Sequence, residues 1–213
     1  AAGVAGAGDL GRRIGVPNLV AFDMGGTTAS ASLVKDGELS RTTEYEFRAG
    51  ISTPSRFIKA GGYMMRVPTV DVAEIGNGSG SIAYVDAGGL TCVGPISAGA
   101  APGPACYGAG GDKPTVTDAN LAMGFLPERL AGGSLTLDIG KARAAIDRHV
   151  ATPLGLSVEE AAFGIRAIAN ANMARAIRAV TVERGLDPRD FKLLAYGGSG
   201  PNHACDLARI LNV

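Results

Sequence analysis

Two glycine turns lie near opposite ends of the chain, each directly after an apolar run, and they restrict the possible folds more than any other feature. Asn18-Leu19-Val20-Ala21-Phe22 leads into Asp23-Met24-Gly25-Gly26-Thr27-Thr28, and Phe191-Lys192-Leu193-Leu194-Ala195-Tyr196 leads into Gly197-Gly198-Ser199-Gly200-Pro201. A buried strand ending in glycines lets backbone amides come close to an anion, which is the chemistry a nucleotide phosphate requires. Each turn also has a plainer explanation. The first is compatible with a tight β-turn whose Asp accepts local amides, the second with close strand-to-helix packing. The second turn is not a Walker loop, because no Gly-Lys-Ser or Gly-Lys-Thr follows, and it lacks full GxGxxG spacing.

Charge and composition narrow the class. Lys and Arg total 20 against 20 Asp and Glu, so no basic field selects nucleic acid or an acidic membrane. A chain of 213 residues buries a sizeable core, and with 46% apolar but only 5% aromatic residues that core rests on Ala, Val, Ile and Leu. The 32 glycines imply many tight turns, which suits an α/β domain with closely packed elements. Cys92, Cys106 and Cys205 are dispersed and show no CxxC spacing, so a reduced, cytoplasmic protein is the simplest expectation. No apolar run reaches the ~18 residues of a membrane span.

Local patterns order the elements. Residues 1–8 read as a small, flexible lead-in, and the chain reads as a piece of something longer. Residues 19–22 and 30–34 read as strands, joined to a half-exposed third strand at 40–47 by the Asp36-Gly37 hairpin turn. Residues 48–66 receive no assignment. Residues 67–75 read as a strand, and 82–85 with 90–93 as a hairpin about Asp86-Ala87-Gly88-Gly89, followed by a loop over 94–114. Helices are expected at 118–125 and 140–149. A long one of about 40 Å starts at a Ser157/Glu160 capping box, carries Val158, Ala162, Ile165, Ala169, Met173, Ala176 and Val180 on one face, and stops at Gly185. A strand at 190–196 and a helix at 202–211 close the chain.

Several side chains could carry chemistry. Asp23 at the end of a buried strand suits a magnesium ion held through water, with Gly25 and Gly26 opening the backbone to phosphate and Thr27 adding a hydroxyl. The run from Gly76 to Gly80 with Ser79 and Ser81 reads equally as cleft lining or as a structural turn. Asp118 either orients a water or stabilises a helix start. Cys106, His203 and Cys205 form a metal site only if the fold joins them, and His149 reads as a surface residue. A serine or cysteine hydrolase is poorly supported, because the Gly78–Ser81 run lacks the strand-turn-helix context that activates a nucleophile.

The ordered runs resemble the hydantoinase A/oxoprolinase family. They are Asp23-Met24-Gly25-Gly26-Thr27-Thr28; Glu74-Ile75-Gly76 with Gly78-Ser79-Gly80-Ser81; Ser97-Ala98-Gly99-Ala100 with Pro102-Gly103-Pro104-Ala105-Cys106-Tyr107-Gly108; Pro114-Thr115-Val116-Thr117-Asp118; Ile168-Ala169-Asn170-Ala171-Asn172-Met173; Val182-Glu183-Arg184-Gly185; and Gly197-Gly198-Ser199-Gly200-Pro201. The resemblance covers nearly the whole chain.

It implies an actin-like ATPase (ribonuclease H-like) fold: a mixed sheet with an antiparallel meander, flanked by helices. The chain would then be the second nucleotide-binding domain, with 67–114 a hairpin and loop insertion, and the missing N-terminal domain would carry another Asp-x-Gly-Gly-Thr turn. The resemblance further implies ATP and Mg²⁺, a small cyclic amide such as a hydantoin or 5-oxoproline opened through phosphorylation of its amide oxygen, and a B-type subunit or fused region as partner. On the matching positions Asp23 and Thr27 would be catalytic, with Asp23 also the metal ligand. Gly25, Gly26, Thr28, Gly197, Gly198, Ser199 and Gly200 would hold nucleotide. A ketone carboxylase subunit, a sugar or acid kinase relative, and a non-catalytic nucleotide-binding module are the alternatives. The chain departs from the family pattern at Ala29 and Ser30, where many members have Asp or Lys, and at Ser79, which interrupts three glycines.

Overall fold

A computed structural model describes residues 2–43, 45–47, 51–52 and 63–213. They fall into two units, residues 1–75 with 172–213, and residues 76–171. In chain order the first unit begins with helix α1 (Ala2–Arg13) and strands β1 (Leu19–Met24), β2 (Ala29–Lys35), β3 (Glu38–Leu39), β4 (Arg41–Thr42), β5 (Tyr45–Phe47), β6 (Ile51–Ser52), β7 (Tyr63–Met65), β8 (Thr69–Val70) and β9 (Val72–Ile75). The second unit holds β10 (Ser81–Val85), β11 (Thr91–Ser97), α2 (Val116–Ala122), β12 (Arg129–Leu130), β13 (Leu135–Thr136), α3 (Ile139–Ile146) and α4 (Thr152–Leu154). Helix α5 (Val158–Val180) supplies its first part to the second unit and its last part to the first, which closes with β14 (Lys192–Tyr196) and α6 (Gly200–Leu211).

The main sheet of the first unit runs β14-β1-β2-β9-β6, with β3 also paired to β2. β14 and β1 are parallel, whereas β1/β2, β2/β3, β2/β9 and β9/β6 are antiparallel. Leu19, Val20, Ala21 and Phe22 are all buried, the pattern of a strand covered on both faces. On one face α1 lays Val4 and Ala7 against Leu19, Ala21 and Val34. On the other, Gly200 of α6 lies against Phe22. Asp36 and Gly37 both have positive φ, 53° and 78°, so the β2/β3 hairpin closes through the expected two-residue turn.

Three expectations are corrected here. The lead-in at 1–8 is part of α1. Its four glycines lower helix propensity, yet three of them make the close packing possible: a Cβ at Gly3 would meet the Tyr196 ring at 2.5 Å, at Gly8 the Leu39 side chain at 3.1 Å, and at Gly11 the Val16 carbonyl at 2.7 Å. The third strand at 40–47 is not continuous. Only β3 stays on β2, β4 and β5 pair with β8 and β7, and residue 44 lies outside the described residues. The strand expected at 67–75 divides at Asp71. Its β9 half occupies the edge of β2 at 29–32, so the neighbour of β2 there comes from far along the chain.

Asp71 is 1% exposed and makes a two-pronged ion pair with Arg184, at 2.5 and 3.0 Å. Ser32 donates to its carbonyl at 2.6 Å, and its own N–H donates to the Ser40 carbonyl at 2.9 Å. Burial outweighs the Arg184 charge and holds the Asp71 carboxyl above its ordinary value.

In the second unit the β10/β11 hairpin forms as expected. Asp86 Oδ1 accepts from the N–H groups of Gly88 and Leu90, both at 2.9 Å, to close its turn. The loop expected over 94–114 begins later, because β11 continues to Ser97, and it contains a 3₁₀ turn at Ala105–Tyr107. Helix α2 starts earlier than expected, capped by Thr115. The helix expected over 140–149 is longer, running from α3 through a π turn at Asp147–Ala151 into α4. His149, read as a surface residue, is half-buried in that turn, and its Nε2 is buried without a hydrogen-bond partner among the described residues.

Helix α5 begins at the expected capping box: Glu160 N–H donates to Ser157 Oγ, and Ser157 N–H to Glu160 Oε2. It ends at Val180 rather than Gly185. Its 23 residues span about 35 Å, and a 3₁₀ turn at Val182–Arg184 precedes Gly185. Ala162, Ile165, Ala169, Met173, Ala176 and Val180 are buried, as their spacing predicts, whereas Val158 in the first turn is only half-buried.

Candidate functional site

The parallel pairing of β1 and β14 carries both glycine turns to one end of the sheet. Asp23 sits opposite Tyr196 in that ladder, so the turns that follow begin side by side. A direct bond joins them: Ser199 N–H donates to the Met24 carbonyl at 2.9 Å. Within the first turn Gly25 N–H donates to the Thr28 carbonyl at 3.0 Å, leaving Gly26 and Thr27 at the exposed tip. Neither tip amide has an acceptor among the described residues. Asp23, near the end of β1, is half-buried.

The glycines of these turns divide by what the fold asks of them. Gly197 has φ +82°, and a Cβ there would lie 2.2 Å from Asp23 Oδ1 and 2.7 Å from the Met24 carbonyl. Gly25, Gly26 and Gly198 lack left-handed φ. A Cβ at Gly26 or Gly198 would meet nothing within 4 Å, and at Gly25 only the Thr28 carbonyl at 4.0 Å. Neither backbone conformation nor packing within the chain therefore requires glycine at those three positions. Glycines with open space also occur on helices, at Gly6 and Gly164. What sets 25, 26 and 198 apart is that they converge, the amides of 26 and 198 unused, beside a carboxylate at the ends of two parallel strands. That cradle fits a phosphate group.

Not every turn residue offers an amide. The N–H groups of Ser199 and Gly25 are consumed within the site, and the Ser199 side chain does not cap α6. A Cβ at Gly200, at the start of α6, would meet Met24 N and Phe22 O only at ordinary contact distances, 3.6 and 3.7 Å. Tyr196 flanks Asp23. Burial, and after it the Asp23 charge, push its phenol up to about 12, so it stays neutral at physiological pH.

The candidates in the second unit are spent on structure. Asp118, 0% exposed, accepts from the N–H groups of Cys106 and Thr115 and the Thr115 hydroxyl at 2.8 Å, and from Ala105 N–H at 3.3 Å. With Asp118 N–H donating to Thr115 Oγ1, this is a capping box that also fastens the preceding loop, so no water-orienting role follows. The Gly76–Gly80 run is tied down likewise. Gly78 N–H donates to Ser81 Oγ, Ser81 N–H donates to the Gly78 carbonyl, and Thr117 donates to the Ser79 carbonyl through both N–H and Oγ1. Asn77 is 2% exposed and donates to the Ala169 carbonyl at 3.1 Å.

Sequence reasoning passed over Arg166. It is buried, donates to Asn120 Oδ1, and stacks 3.7 Å above the Phe125 ring. Its position beside the apolar stripe of α5 was the available signal. Cys106 is buried among Leu121, Leu137 and Ala142, and burial with the nearby Asp118 charge raises its thiol far above the ordinary range, so it is inert as a nucleophile. Among the described residues no three His, Cys, Asp or Glu side chains gather at metal-binding reach. No helix among them is long and apolar enough to cross a membrane.

A family model described as hydantoinase/oxoprolinase matches residues 1–213. The chain is 51% identical over 92% of its length to the uncharacterized protein MJ0964 of Methanocaldococcus jannaschii, and 46% identical over 91% to the caprolactamase subunit alpha of Pseudomonas jessenii. It spans only 28% and 26% of those proteins. The crystal structure of the ATP-dependent caprolactamase from Pseudomonas jessenii superimposes with a TM-score of 0.80 at 43% identity, covering 99% of this chain and 28% of that one. The nucleotide-free structure of acetone carboxylase, from work on ATP-dependent acetone carboxylation, superimposes with a TM-score of 0.83 at 29% identity, covering 98% and 28%. The mixed sheet and flanking helices are those of an actin-like ATPase fold.

Proposed function

The chain belongs to the hydantoinase/oxoprolinase family, and on that premise we propose that it forms one wall of the nucleotide site of an ATP-dependent hydrolase that opens a cyclic amide. The observation that carries this reading is the set of glycines at 25, 26 and 198 that nothing in the fold requires, gathered beside Asp23. In this reading the free amides of Gly26 and Thr27 and the Thr27 hydroxyl bind phosphate oxygens, and Thr28 and Ser199 hold the two turns in shape. Gly197, Gly198 and Gly200 form the adenosine-side turn. Asp23 holds Mg²⁺ through water. With nucleotide and Mg²⁺ bound, a phosphoryl group becomes available to the amide oxygen of a hydantoin, lactam or 5-oxoproline ring. The chain's own contribution is preorganised donors and one carboxylate, the arrangement that stabilises developing phosphoryl charge.

The chain as a whole is read as the second nucleotide-binding domain, with residues 67–114 inserted in it. The opposite wall, the ring-binding groups and a B-type subunit or fused region belong to the rest of the protein. Support for a partner comes from the caprolactamase match, whose name is that of a subunit.

Replacing Asp23→Asn in the complete protein tests the assignment. ATP-dependent ring opening should fall about 10²-fold or more while the melting temperature changes little; undiminished turnover overturns it. A second reading, a subunit of an ATP-dependent ketone carboxylase, is favoured by the likeness to acetone carboxylase. Product analysis separates the two: ring-opened acid from hydantoin, lactam or 5-oxoproline supports the first, and carboxylated ketone from ketone plus bicarbonate supports the second.

A further inference from the structure

We propose that Gly197 is a positioning residue for Asp23, acting through the carboxylate rather than by touching nucleotide. This deepens the reading of Asp23 above and rests on it. The register of the parallel ladder sets Asp23 against Tyr196, so the residue after Tyr196 falls beside the Asp23 side chain. At that point the chain takes φ +82°, and the place of a β-carbon is already filled, by Asp23 Oδ1 at 2.2 Å and the Met24 carbonyl at 2.7 Å. The turn cannot retreat freely, because Ser199 N–H is bonded to the same Met24 carbonyl at 2.9 Å.

Gly198, one residue on, meets nothing within 4 Å and has no left-handed φ. The two adjacent glycines therefore serve different ends: 198 leaves room for something outside the chain, and 197 leaves room for the carboxylate. Any side chain at 197 swings the carboxylate to another rotamer or lifts the second turn off β1. The first movement changes the orientation of the carboxylate itself, and the second takes away the turn that Ser199 N–H ties to Met24.

A double-mutant cycle in the complete protein tests this by thermal unfolding. Gly197→Ala should lower the melting temperature at least about 3 °C more in the wild-type background than in the Asp23→Ala background. There Oδ1 is gone, and only the φ and Met24 costs remain. Equal losses in the two backgrounds overturn the proposal. If Gly197→Ala alone does not fold, recovery of folded protein in the double variant supports it, and no recovery overturns it. Gly198→Ala combined with Asp23→Ala should be additive, and coupling there as strong as at 197 also overturns it. The cycle reads stability, so it is independent of the fate of Asp23→Asn turnover. Full turnover in that variant would sink the functional reading while leaving the coupling of 197 to 23 intact.

Discussion

The glycines at 25, 26 and 198 and those at 76 and 94 are equally small, but the chain uses them in opposite ways. A Cβ at Gly76 would press on Pro95 at 3.1 Å, and Gly94, with φ +69°, would press on the Gly76 carbonyl at 2.7 Å. The polar groups around them are likewise consumed by Ser81, Thr117 and Asp118. In the first turn the same residue type faces open space, with the Gly26 amide unused. Glycine that the fold needs marks architecture; glycine that it does not need, set beside a carboxylate, is the ground on which the proposed nucleotide site rests.

That contrast can be broken by substitution. The largest effect is expected at Asp118, whose replacement by Ala strands three buried N–H groups. The loss should be on the order of 4 kcal/mol or more in urea unfolding of the complete protein, and a loss below about 1 kcal/mol would show that the second unit does not depend on this hub. Next come paired glycine variants. Gly94→Ala should cost about 3 kcal/mol from backbone strain and overpacking together, whereas Gly26→Ala should change stability by no more than about 0.5 kcal/mol yet weaken nucleotide binding measured by calorimetry. Equal stability losses would erase the distinction between the two loops.

The smallest effects are in pH dependence, and they run in opposite directions. Asp71 has its folded value raised, so its contribution is full below the unfolded value and is lost as pH rises through the folded one. Glu160 is held low by the Ser157 N–H and hydroxyl, so its contribution is present above the unfolded value and is lost as pH falls through the folded one. From neutral pH towards pH ~4, urea titrations should show wild type gaining on Asp71→Asn, while its advantage over Glu160→Gln shrinks. Parallel slopes would contradict the buried placement of Asp71.

What the sequence made legible was local. The Asp36-Gly37 turn, the hairpin closed by Asp86, and the Ser157/Glu160 box each depend on residues within a few positions of one another, and all three form as expected. The fold class and the order of the two glycine turns were legible as well. What escaped depends on distant partners. β9 takes the edge of β2 that residues 40–47 were expected to fill, because pairing is decided by the whole sheet rather than by alternation in one segment. Helix α1 was missed because its glycines argue against a helix in isolation, and only packing against Tyr196, Val34 and Leu19 explains them. Within the candidate site, Asp23 and its glycines stood out in the sequence. The separate roles of 197 and 198 did not, since two adjacent glycines read alike until a backbone angle and a neighbouring oxygen tell them apart.

The parallel pairing of β1 with β14 also has a bearing on the order of events during synthesis. The first turn is a finished local hairpin as soon as β2 exists, but its neighbour in the sheet, and the Ser199 amide that ties the turns, come from the far end of the sequence. Closing so long a loop is slow and is rewarded only at the end. A nascent chain on the ribosome therefore carries the first turn from the end of β2 until β14 emerges without the strand that β1 pairs with in parallel. The joined pair of turns dates from the emergence of Ser199, and before then neither turn has its final neighbour.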